Sequence, residues 1–185
     1  MGLFVLGGLV FVGFIGIGAY NSLVRRRNVI DQAYSTIEVQ LTQRYDLIPK
    51  LIETVKQYMT HERGLLEEIV RLRSVAVASR NPADKIEADN QLTRALGQLN
   101  VTMENYPQLR ASENFVQLQR SLNEVEEQLA AARRSYNGAV LDYNNAVQQF
   151  PSSLIAQSFG FGTSTMFVAD EKKRGDVDVK GLFTT

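Results

Sequence analysis

Between Met1 and Val24 there is not one charged side chain, and the run from Leu3 to Ala19 consists of Leu, Phe, Val, Ile, Gly and Ala. As a helix, about 22 such residues extend roughly 33 Å, close to the thickness of a bilayer's hydrocarbon core. The segment is therefore expected to be a membrane anchor over residues 1–24, with Tyr20 at the level where interfacial aromatics collect. A cleaved signal peptide would need basic residues before the apolar run and small residues at a cleavage site. No Lys or Arg precedes it, and Ile17 with Ala19 is a poor small-x-small pair. Arg25, Arg26 and Arg27 follow at once, and such clusters stay on the cytoplasmic side. The expected topology is a single-pass protein of the cell membrane, with the N-terminus outside and the helical domain cytoplasmic.

At about 100° per residue, Gly2, Gly13 and Gly16 fall on one face of this helix and Gly7 and Gly18 nearly opposite. Small residues let helix backbones approach in lipid, so two such faces suit packing on both sides. The plainer reading is that glycine is common in membrane helices. No GxxxG spacing occurs here.

The remaining residues suit one modest domain, since the whole chain has 185 residues, of which 44% are apolar. After the arginines, Ile30, Tyr34, Ile37, Leu41, Tyr45, Ile48, Ile52, Val55 and Met59 recur at steps of three and four, with Leu51 widening the stripe. This spacing predicts a long amphipathic helix, continuous with the span because no Pro or capping Gly separates them. Pro49 costs about 3 kcal/mol in a helix interior. The apolar period resumes in register beyond it, so a kink is expected rather than an end. Leu65, Leu66, Ile69, Leu72 and Val75 carry the stripe on to about Ser79.

Asn81-Pro82 is a start signal for a second helix with Ile86, Leu92, Leu96 and Leu99, ending near Asn105 ahead of Pro107. Ser112 is placed to cap a third, whose core positions are Phe115, Leu118, Leu122, Val125, Leu129, Ala132, Tyr136, Val140, Tyr143, Val147 and Phe150. That heptad-like seam is about 36 residues long, roughly 54 Å, and ends at Pro151. The first and third helices are expected to lie antiparallel, with the second covering part of their groove. Ser152 or Ser153 is placed to cap a short last helix, which Phe159-Gly160-Phe161-Gly162 stops. From Asp170 to Lys180 a flexible or partner-ordered tail is expected, with Val177-Asp178-Val179 a short strand or nothing. The fold class is thus all-α: a transmembrane helix followed by a long-helix, antiparallel coiled-coil-like bundle. Its expected divisions are 1–24 (anchor), 25–158 (helical domain) and 159–185 (Gly/Phe loop and polar tail).

Twenty Lys and Arg balance twenty Asp and Glu, which removes the basic field that attracts nucleic acid. With no cysteine, thiolate zinc sites and thiol nucleophiles are out of reach. His61-Glu62 lacks the second histidine a zinc-protease helix needs, because that position is Leu65. The pairs Glu67-Glu68 and Glu126-Glu127 diverge by about 100° on a helix and read as solvated faces. No phosphate loop, nucleophile elbow or dinucleotide fingerprint occurs. A non-enzymatic protein without cofactor or metal is expected. Polar residues near the stripes, namely Asp31, Glu38, Arg44, Asp46, Arg133, Arg134, Asn137, Asp142 and Asn144, are either ordinary surface or buried pairs that fix helix register. Arg44 and Asp46, two apart, need partners elsewhere.

The words Ala19-Tyr20-Asn21, Leu23-Val24-Arg25, Gln40-Leu41, Arg44-Tyr45-Asp46-Leu47-Ile48-Pro49, Leu51, Glu53-Thr54-Val55-Lys56 and Tyr58 occur in order. Later come Glu104-Asn105-Tyr106-Pro107, Ala111-Ser112-Glu113-Asn114-Phe115, Ala131-Ala132-Arg133-Arg134-Ser135-Tyr136-Asn137, Tyr143-Asn144 and Phe150-Pro151. On these words the chain resembles the bacterial LemA family over about residues 17–161. The resemblance implies a single-pass membrane protein with a helical, coiled-coil-like domain, no established catalytic activity and no catalytic residues to carry over.

Together these readings lead to a membrane-anchored scaffold that self-associates through its transmembrane and long helices, with membrane lipid and copies of itself as partners. The alternative is a monomeric anchored adaptor presenting helices or tail to another protein. A weak membrane hydrolase is a third reading, which the missing constellations discourage.

Overall fold

The uncharged segment and the first amphipathic stripe form a single helix, α1 (Gly2–Lys56), in the computed structural model, which describes residues 2–167. The described residues are all-α: α2 (Arg63–Ala78), α3 (Pro82–Met103), the single turn α4 (Pro107–Arg110), α5 (Glu113–Gln148) and α6 (Ser152–Phe159) follow. The tail expected from Asp170 and the strand at Val177 to Val179 lie outside the described residues.

The antiparallel pairing of α1 with α5 is the largest interface. Its register is visible in three pairs: Arg26 with Asp142, Tyr34 with Tyr136 and Arg44 with Glu126. The seam of α5 faces α1, with Phe115, Val125, Leu129, Ala132, Val140 and Tyr143 buried and Leu118, Leu122, Tyr136 and Val147 half-buried. Phe150 does not complete it: the chain leaves helical geometry at Gln149, and the Phe150 ring is 81% exposed.

The stripe does not run straight on to Ser79. It breaks at residues 57–62, where α2 folds back along α1 and brings Arg73 beside Tyr45 and Asp46. Folding back buries Leu66, Ile69, Leu72 and Ala76 against α1 and α3, each large side chain stabilising by about 1.5–3 kcal/mol. That gain outweighs the few helical bonds lost at the turn.

Pro49 lies inside α1 without ending it. A proline has no N–H, so the carbonyl of Tyr45, four residues earlier, loses its helical donor. Arg73 of α2 replaces it, with Nε donating to Tyr45 O at 2.7 Å. The proline thereby opens a docking point for the hairpin.

Two apolar clusters result. The larger gathers Ile37, Leu41, Ile48 and Val55 of α1 with Ile69, Leu92, Leu99 and Phe115. The smaller lies toward the N-terminal segment and contains Leu23, Ile30, Val140, Tyr143 and Ala156. Helix starts fall where expected, at Pro82 and after Ser112, but the Ser112 side chain makes no capping bond. Ser152 does not cap α6 either; its hydroxyl donates to Ala146 O at 2.6 Å, satisfying a carbonyl at the end of α5. Gly160, at φ 72°, ends α6 in the left-handed conformation that side chains resist.

Candidate functional site

The apolar stripe of α3, Ala88, Leu92, Ala95 and Leu99, carries one charge, Asp89, and its side chain is completely buried. Three helices converge on it. From α1, Arg44 Nη1 donates to Asp89 Oδ1 at 3.0 Å, and the Tyr45 hydroxyl approaches the same oxygen at 3.4 Å. From α5, Arg133 Nη2 donates to Asp89 Oδ2. Arg44 also reaches Glu126 at 3.2 Å and Thr93 Oγ1 at 3.0 Å. Two guanidiniums thus face two carboxylates, as buried charges must to offset the loss of water.

Burial pushes the Asp89 carboxyl above its ordinary value, and Arg44 and Arg133 oppose that rise. The Tyr45 phenol is pushed up by burial first and by Asp89 second. The arrangement ties α1, α3 and α5 together at one point, with the Asp89 side chain closed off from solvent. Around it, Lys85 pairs with Glu38 at 2.8 Å and Asp46 with Arg73 at 3.9 Å. Glu126, expected on a solvated face, is half-buried and bound to Arg44, because α5 turns it toward the knot rather than outward. Motif spacing does not single out Asp89, although a lone carboxylate within an Ala/Leu stripe is a signal that points to it.

A second construction ties down the segment after α6. Residues 161–167 run extended along α5, antiparallel to it, and two asparagines read their backbone as a neighbouring strand would. Asn144 accepts from Ser164 N at 2.8 Å and donates to Ser164 O at 2.9 Å. Asn137 accepts from Phe167 N at 2.7 Å and donates to Phe167 O at 3.0 Å. The spacing suits both partners, since seven helical residues and three extended ones each advance about 10 Å. Tyr136 adds a bond from its hydroxyl to Thr165 O at 3.1 Å. The strap ends with Phe167 buried under the Arg133 guanidinium, 4.6 Å from the ring centre, so strap and knot share one residue.

The third feature is the apolar half of α1. Leu6, Val10, Phe11, Phe14 and Ile17 are all exposed, unlike the core helix of a soluble protein. It is the one helix among the described residues long and apolar enough to cross a membrane. Gly2, Gly7, Gly8, Gly13 and Gly18 have open space where a side chain would stand. Gly16 is approached by Ile155 of α6, 3.7 Å from where its Cβ would lie. Arg25, Arg26 and Arg27 are exposed, and Arg26 donates to the Asp142 carbonyl at 3.4 Å. His61 sits exposed in the α1–α2 turn rather than on a helix. Among the described residues, no group of three or more His, Asp or Glu side chains is placed to hold a metal ion.

These features define a class: an antiparallel helical bundle built on a helix that continues into a membrane-length apolar segment. The chain belongs to the LemA family, whose model matches residues 33–180. It is 27% identical over 183 residues to Protein LemA of Metamycoplasma hominis, covering 97% of this chain and 84% of that protein. Over 92 residues, 50% of this chain, it is 32% identical to Magnetosome protein MamQ 2 of Paramagnetospirillum magneticum and 29% identical to Magnetosome protein MamQ of Magnetospirillum gryphiswaldense. Those matches cover 33% of the magnetosome proteins' length.

Proposed function

We propose that this chain is a membrane-anchored, non-enzymatic scaffold that associates with copies of itself through its span and the outer faces of its long helices. The observation that carries the reading is the continuity of α1 from Gly2 to Lys56. Because no hinge separates span from bundle, a neighbour seated on the span also sets the position of the bundle beneath it. The open glycines suit that seating: Gly2 and Gly13 lie on one side of α1 and Gly7 and Gly18 on the other. Two different faces make a head-to-tail contact, which closes into rings or extends into rows. Arg25 to Arg27 hold the bundle on the cytoplasmic side.

The test is the mass of the full-length protein in mild detergent at micromolar concentration. The scaffold reading expects a defined multiple, which Gly7→Leu with Gly18→Leu reduces while the helical content is kept. A clean monomer overturns it. The adaptor reading draws on a cleft at the membrane-distal end, of about 470 Å³, lined by Ile52, Met59, Leu66 and Val70 among others. Under that reading the protein is monomeric, and substitution at Val70 abolishes partner capture. Under the scaffold reading, removing residues 168–185 leaves the assembly size unchanged.

A further inference from the structure

We propose that the corner formed by the end of α5, the turn at residues 149–151 and α6 is itself immersed in the bilayer, in the leaflet next to Arg25–Arg27, so that two elements rather than one hold the membrane. The inference rests on the anchored reading of α1 and adds a lipid-binding element that the span alone does not require.

Charge marks the boundary twice. On α1 the uncharged run ends at Val24; on the returning arm of the bundle no charged residue occurs between Asp142 and Asp170. The two boundaries lie at one level, because Arg26 donates to the carbonyl of Asp142. Among the described residues, the side chains beyond that level are therefore neutral. It includes the last turn of α5 and all of α6, which reach well up the span: Ile155 lies against Gly16, and Phe159 and Phe161 pack edge-on to Tyr20 at 5.0 and 5.5 Å. Gly16 stands nine residues before Arg25, about 13 Å along the helix. If Arg25 marks the lipid edge, α6 lies on the lipid side of it.

The surface of the corner fits that placement. Phe150, Leu154 and Phe159 are 81%, 57% and 63% exposed, an apolar tip with no protein cover. Between α6 and the span a nearly all-apolar cleft of about 340 Å³ opens among Gly13, Gly16, Ile17, Tyr20, Ile155 and Phe159, a size and chemistry suited to an acyl chain. A turn can enter lipid only if its backbone is satisfied internally, and here much of it is. Ser153 N donates to Gln149 O, Leu154 N to Pro151 O and Phe161 N to Ala156 O. The Ser152 hydroxyl serves Ala146 O, and the Ser158 hydroxyl serves Leu154 O. Pro151 has no N–H to leave bare. The remaining polar side chains at the tip are neutral amides and hydroxyls, which cost less near the headgroups than a charge would.

The chain contains no tryptophan and no cysteine, so each substitution introduces a single reporter. Full-length Leu154→Trp, Phe11→Trp and Val101→Trp proteins are reconstituted into phosphatidylcholine vesicles containing acyl-brominated lipid. Phe11 reports the span and Val101 the exposed distal bundle. Blue-shifted emission from Leu154→Trp, quenched severalfold more than Val101→Trp, is expected. Quenching of Phe11→Trp alone overturns the immersed corner and leaves the anchor standing, whereas no quenching of Phe11→Trp overturns both. A nitroxide on Phe150→Cys gives a second readout at a site whose side chain packs little. Greater accessibility to oxygen than to a water-soluble nickel chelate is expected, and the reverse overturns the proposal.

Discussion

Residues 2–22 and 23–56 of α1 share one unbroken helix but meet different surroundings. In the first part Phe11 and Phe14 stand exposed; in the second Ile37, Ile48 and Val55 are completely buried. The presence of large apolar residues does not by itself separate them, because both parts contain them. Periodicity does. Where apolar residues recur at three and four with polar ones between, one stripe needs one protein partner, and α5 supplies it. Where they are uniform around the helix, no single protein face can cover them, and lipid is the matching solvent.

The largest expected effect tests the polar side of this contrast. Asp89→Ala removes the buried carboxylate that Arg44 and Arg133 share, leaving Arg44 with Glu126, and should cost about 3–5 kcal/mol of bundle stability in denaturant titration. The span should keep its helicity in detergent. Replacing Asp89, Arg44 and Arg133 together by apolar residues of similar volume should recover most of the loss.

The apolar side is tested by a pair. Ile37→Ala should cost about 2–5 kcal/mol, while Phe14→Ala should change bundle stability by less than about 0.5 kcal/mol. Comparable losses at both positions would mean that the apolar half is packed against protein after all.

A double-mutant cycle addresses the proline within the bundle half. Arg73→Met should cost about 1.5–3 kcal/mol because it strips the Tyr45 carbonyl of its donor. In a Pro49→Ala background the cost should shrink, since alanine restores the helical N–H. Equal costs in both backgrounds would show that Arg73 does not act through the carbonyl that Pro49 frees; its long pair with Asp46 is worth little at an exposed site.

Smaller effects are expected at the strap. Asn137→Asp removes the amide donor facing Phe167 O and should cost about 1–2 kcal/mol locally. Faster amide exchange at Ser164 and Phe167, with the core unchanged, is the measurement. The weakest effect concerns alkaline pH. The Tyr34 phenol is pushed up to about 12, by burial first and then by Glu38 and Tyr136. A folded value above the unfolded one means that its contribution is complete below about pH 10 and is lost as pH rises toward about 12. Tyr34→Phe should flatten that decline.

Much of the architecture was legible from spacing. The uncharged run, the helix starts at Pro82 and after Ser112, and the α5 seam are local patterns, and each appears where its residues imply. The turn at residues 57–62 was not legible, because Met59, Leu65 and Leu66 continue the stripe and nothing there forbids a helix. Nor was Phe150's exposure, since it continues the seam's spacing but falls beyond the helix. Arg44 and Asp46 did require partners elsewhere, but which ones depended on how α2 and α3 fold back.

By itself, then, the sequence determined the uncharged segment's length, its arginine border and the helical identity of the residues beyond that border, because these depend on neighbours along the chain. Only the tertiary structure decided that Gly16 shares its surface with α6, through the contact with Ile155. It also decided that Asp89 is the centre of a charge knot and that Asn137 and Asn144 serve as a strand edge for residues 161–167. Those roles depend on groups tens of residues away, and hydrogen bonds and buried charges are specific to whichever partner the folded backbone brings within about 3 Å.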